Sequence, residues 1–126
     1  MGLSKRLMSL GTSAEQAKAI NGVTGIYASV STTVSQAAAT PLLYDINIIP
    51  NAQAAGAVLL PSDAVVTDFV TVTNFTGSNV TIYPSIGGSI NGGAANAGVV
   101  LATGATIQLQ VGSTSGSPAA PNWYIT

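Results

Sequence analysis

Asp63 and Asp68 are two carboxylates five residues apart, and oxygen ligands at loop positions suit calcium. No glutamate or third acid accompanies them, so the spacing predicts a plainer arrangement, with Asp63 closing a turn and Asp68 facing solvent. The run Gly87-Gly88-Ser89-Ile90-Asn91-Gly92-Gly93 has the texture of a phosphate loop. It lacks the lysine and the helix start that such a loop requires, and it reads as a tight inter-strand bend. Gly112-Ser113-Thr114-Ser115-Gly116 frames Thr114 as a nucleophile elbow would frame serine. No histidine exists to take the proton, and the segment precedes a terminal strand where the elbow needs a helix. Trp123-Tyr124 would stack a sugar, but at the end of a β-domain the pair reads as core and edge packing.

Composition narrows the field further. Histidine and cysteine are absent, which removes the commonest general base, the commonest transition-metal ligand and any thiol nucleophile or disulfide. Only 6% of residues are charged, against about 25% in a typical soluble domain. After Lys18 there is no positive charge, and the negative charges are Asp45, Asp63 and Asp68. Net charge keeps free protein surfaces apart, so a chain without it is expected to sit against copies of itself or another protein. The expectation is a structural subunit with no catalytic residues, no metal and no cofactor. Lys5, Arg6 and Lys18 are too few for a nucleic-acid or membrane surface and suit acidic groups of a protein partner.

The elements fall into three stretches. Residues 1–22 read as an arm with a short helix: Thr12 and Glu15 form a capping box, Ala14, Ala17 and Ala19 favour helix, and Asn21-Gly22 stops it. No export signal, myristoylation pattern or run of ~18 apolar residues is recognisable, and synthesis in the cytoplasm is expected. Residues 23–41 read as a connecting β segment, with period-two alternation from Ile26 to Thr33. Residues 42–126 read as the main domain. Apolar runs at Leu42–Ile49 and Val58–Leu60 lead to a predicted hairpin, Val65–Pro84, folded about Gly77 so that Val72 faces Ile82. Gly98–Leu101, the alternating Ala105–Val111, a polar loop at Gly112–Asn122 and a last strand at Trp123–Ile125 follow. Seven or eight short strands with Gly, Pro and Asn between them predict an all-β fold, an antiparallel, jelly-roll-like β-sandwich.

The order Val70-Thr71-Val72-Thr73-Asn74-Phe75-Thr76-Gly77, Val80-Thr81-Ile82-Tyr83-Pro84, Gly87-Gly88-Ser89-Ile90-Asn91-Gly92, Ala94-Ala95-Asn96-Ala97 and closing Trp123-Tyr124 resembles a β-domain of small structural proteins of tailed bacteriophages. The resemblance covers somewhat under half the chain. It implies a capsid decoration (cement) protein or a head-fibre or tail-fibre base. Cement proteins of this kind are typically homotrimers on the outer face of the major capsid protein lattice. The resemblance implies that the chain resides on the virion exterior after synthesis in the host cytoplasm. It also suggests that Leu3, Lys5, Arg6, Leu7 and Lys18 of the arm would contact the partner. It carries over no catalytic or metal residue. The alternative function is a receptor- or glycan-binding module of a fibre, using loops 87–97 and 112–122 near Tyr83 and Trp123.

Overall fold

The computed structural model describes residues 24–50, 56–116 and 119–126. The predicted helix, and with it Leu3, Lys5, Arg6, Leu7 and Lys18, lies outside these residues. All elements among the described residues are strands: β1 (Thr24–Ile26), β2 (Thr40–Pro41), β3 (Ile46–Ile49), β4 (Ala57–Leu59), β5 (Phe69–Asn74), β6 (Val80–Tyr83), β7 (Ser89–Ile90), β8 (Val99–Leu101), β9 (Thr106–Ser115) and β10 (Ala120–Ile125). They form a six-stranded sheet, β1-β3-β5-β9-β10-β7, and a four-stranded sheet, β2-β4-β6-β8. Residues 23–41 therefore supply a strand to each sheet and place Tyr27, Val30 and Ala39 in the core.

From β1 to β6 the chain alternates between the sheets, and each strand lies parallel to the one two elements earlier. Thr24 pairs with Ile46 and Ile46 with Thr71 in one sheet, while Val58 pairs with Thr40 and Ile82 in the other. Parallel neighbours need a crossover, usually a helix. Here the opposite sheet supplies it, so three circuits stack as a short coil. This corrects the antiparallel, jelly-roll-like expectation: five of the eight strand pairings are parallel, and both sheets are mixed.

The predicted Val65–Pro84 hairpin is also corrected. β5 pairs with β3 and β9, and β6 pairs with β4 and β8, so the two strands lie in different sheets. Val72 and Ile82 are both fully buried, but as inward residues of two sheets sharing one apolar core. Asn74 decides the geometry. Its Nδ2 donates to the carbonyls of Ser78 (2.8 Å) and Leu101 (3.1 Å). Its Oδ1 accepts the Thr76 N–H (2.9 Å) and the Thr76 hydroxyl (2.7 Å). A fully buried aliphatic side chain contributes roughly 1.5–3 kcal/mol, and a typical hydrogen bond about 1. The aliphatic core therefore holds the sheets together, while Asn74 selects an arch over a hairpin.

The hairpin of this fold lies later in the chain. β9 runs on to Ser115, where a polar loop was predicted, and turns back antiparallel into β10 with Ala120 opposite Ser115. The Asn122 amide donates to the hydroxyls of Ser113 and Ser115 (both 3.1 Å) and accepts from Ser89 (3.0 Å). Those polar side chains lace a sheet face, which is why a serine- and threonine-rich segment is strand here. In the glycine-rich bend, Asn91 (φ 55°) and Gly92 (φ 71°) both take the left-handed conformation that an Asn-Gly turn supplies.

Candidate functional site

β1, β3 and β5 run in one direction, so their first residues, Thr24, Ile46 and Phe69, lie at one end of the six-stranded sheet. There a cleft of about 270 Å³ opens, with an apolar wall of Leu42, Val70 and Trp123. Asp45, Asp63 and Asp68 all line it, and they are the only charged side chains among the described residues. The sequence separates Asp45 from Asp68 by 23 positions; parallel stacking brings the entries to β3 and β5 together.

The acidic residues differ in setting. Asp68 is buried, and its Oδ2 accepts the Val65 N–H (3.1 Å) while its own N–H donates to the Val65 carbonyl (2.9 Å). Asp68 is thus the turn cap and Asp63 is exposed, the reverse of the predicted roles. The capped loop includes Thr67 at φ 81°, and its N–H donates to the Val111 carbonyl (2.9 Å). Asp45 is buried as well, and its carbonyl accepts the Thr71 N–H (2.8 Å). Asp45 was not singled out from the sequence. Among the described residues, no group of three acidic or other metal-type ligands is placed to hold a metal ion.

Behind the cleft, a polar pin fixes the entry to β3. Tyr27 donates its hydroxyl proton to Asn47 Oδ1 (2.6 Å) and accepts the Leu43 N–H (2.7 Å). Asn47, fully buried, also accepts the Tyr44 N–H and donates to the carbonyls of Tyr44 and Thr71. The Tyr27 and Tyr44 rings meet edge to face at 5.6 Å. Tyr44 lies so close to β1 that a Cβ on Gly25 would sit 1.7 Å from its ring, so only glycine fits there.

Burial raises the Tyr27 pKa from 10.0 to about 12, against the lowering effect of the Leu43 hydrogen bond, with a smaller raising contribution from Tyr44. Between those values the folded chain keeps a proton that the unfolded chain has lost. This contribution to stability is complete below pH 10 and falls away as pH rises towards 12, by on the order of 2 kcal/mol. Urea titrations at pH 9 and pH 11.5 should show that difference shrinking in Tyr27→Phe; an equal decline in both proteins would exclude Tyr27 as its source.

Trp123 is fully buried within the core cluster, while Tyr124 is partly exposed beside Gly112. The glycine run 87–93 contains β7, which pairs parallel with β10, and Gly112–Ser115 lie within β9. The other exposed feature is apolar. Ile26 on β1 and Val100 on β8 are 68% and 63% exposed, and both strands are sheet edges. None of the four edge strands, β1, β7, β2 and β8, carries a charged residue.

No protein-family model matches the chain, and no curated protein matches it significantly.

Proposed function

We propose that this chain is a structural subunit, not a catalyst, which decorates and stabilises the capsid of a tailed phage by packing as an oligomer, a trimer by family resemblance, on the coat lattice. In this reading the two sheets form a β-sandwich, and residues 1–22 are a partly helical arm reaching the major capsid protein. The observation that carries it is the bare edges. Proteins that remain alone in water protect edge strands by keeping them short or with lysine, proline or inward charge. These edges are two or three residues long and β2 carries Pro41, but none bears a charge and two expose a large aliphatic side chain. Such edges suit burial against neighbouring subunits.

Sedimentation velocity tests the association. The chain is expected to be oligomeric at roughly tens of micromolar, with little response to sodium chloride and a strengthening by sulfate. Val100→Lys should weaken self-association about tenfold or more, the equivalent of ~1.4 kcal/mol. A monomer at that concentration would sink the oligomer reading. Failure to co-sediment with phage heads would sink the decoration reading separately.

A further inference from the structure

We infer that Ile86 of one copy inserts into the cleft of a second copy, so that the chain carries both halves of one interface. This inference rests on the oligomer reading above and names a contact for it.

The knob is unusual in how it is held. Ile86 is 82% exposed, the most exposed large aliphatic side chain among the described residues, while Pro84, Ser85 and Gly88 around it are buried. The bend between β6 and β7 that carries it is braced from two sides. The Gly88 N–H donates to the Ser85 carbonyl (2.8 Å), the Gly87 N–H to Asn96 Oδ1 (2.7 Å), and the Asn96 N–H back to the Gly88 carbonyl (2.9 Å). The Gln36 side-chain amide adds bonds to the Pro84 carbonyl (2.8 Å) and to Asn96 Oδ1 (3.1 Å). A scattered exposed aliphatic residue is ordinary. One at the tip of a bend fixed in this way is already ordered, and it loses little conformational freedom on binding.

The cleft offers the matching hole. Its volume of about 270 Å³ exceeds the ~150 Å³ that holds a benzene-sized apolar group. Leu42, Leu43, Pro61, Ala64, Phe69 and Val70 give it apolar walls. Leu43 is 73% exposed, so the open cleft leaves apolar surface in water that an inserted aliphatic side chain would cover. Ile86 does not line the cleft of its own chain, and the occupant is therefore assigned to a second copy. Residues 84–97 are uncharged, so the bend meets the three carboxylates without a like-charge contact. Knob and cleft are different surfaces, which makes the contact heterologous. It repeats from copy to copy and closes into a ring, as a trimer requires.

The sequence has no cysteine, so introduced thiols report this contact alone. In the full-length double variant Ile86→Cys, Leu43→Cys, mild oxidation should give covalent oligomers in which position 86 of one copy is joined to position 43 of another. In sedimentation velocity, Ile86→Asp should weaken self-association about tenfold or more with the circular dichroism unchanged, and Ile86→Leu should preserve it. Links between like positions only, an 86–43 link within monomer-sized product, or undiminished association of Ile86→Asp would overturn this contact and leave the oligomer reading standing. A monomeric unmodified chain would remove both.

Discussion

Asn74→Ala is expected to lower stability by about 3 kcal/mol, the scale for leaving buried polar groups without partners. The substitution deprives the Leu101 carbonyl and the Thr76 N–H of the Asn74 amide and weakens the hold on the Ser78 carbonyl. For a domain of this length the thermal midpoint should fall by roughly 10 °C. Asn74→Asp separates the two halves of the amide. It preserves an acceptor for Thr76 but sets a buried carboxylate against two carbonyl oxygens. Its folded-state pKa would be raised, so the folded form binds the extra proton and stability declines as pH rises. Asn74→Asp should therefore be the less stable variant at pH 7 and recover in acid, while Asn74→Ala shows no such recovery. Thermal melts of both at pH 4 and pH 7 decide it. A loss under about 1 kcal/mol in Asn74→Ala would mean that the apolar core alone enforces the arch.

Trp123→Ala should cost still more, about 3–5 kcal/mol, because a buried indole leaves a large void and the neighbours relax only in part. Trp123 is fully buried in the cluster that includes Leu42, Val70, Leu109 and Val111, and it also borders the acidic cleft. Its backbone carbonyl accepts the Asn91 N–H (2.7 Å), tying β7 to β10. Trp123→Phe keeps most of the ring and should retain more than half of the lost stability. Guanidinium denaturation of both variants measures the difference. Equal losses would mean that phenylalanine does not fill the site and that the full indole volume is required, since the indole N–H has no hydrogen-bond partner among the described residues.

The two sites probe different kinds of contact, Asn74 a polar closure between strands and Trp123 the volume of the core. The alternation Ile107, Leu109, Val111 against Thr106, Gln108, Gln110 marks the inward face of β9 correctly: Leu109 and Val111 are buried and Ile107 partly so. The same holds for Val70 and Val72 in β5 and for Val80 and Ile82 in β6. Ile26 and Tyr27 show the limit on a short strand, since Ile26 is exposed while Tyr27 turns inward to reach Asn47. The cleft was half legible. Asp63 and Asp68 stand out as neighbours in a charge-poor chain, but Asp45 joins them only through parallel stacking of β3 on β5.

Residue types and their alternation are enough to specify that the described residues are all-β, that their long strands have one apolar face, and that charge is nearly absent beyond Lys18. Long-range packing selects which strands are partners: β5 and β6 separate into two sheets, β9 and β10 form the hairpin, and three acidic residues converge. A period of two reports only which side of a strand meets the core, and an arch and a hairpin share that period. The choice between them rests on one buried amide and on contacts made far along the chain.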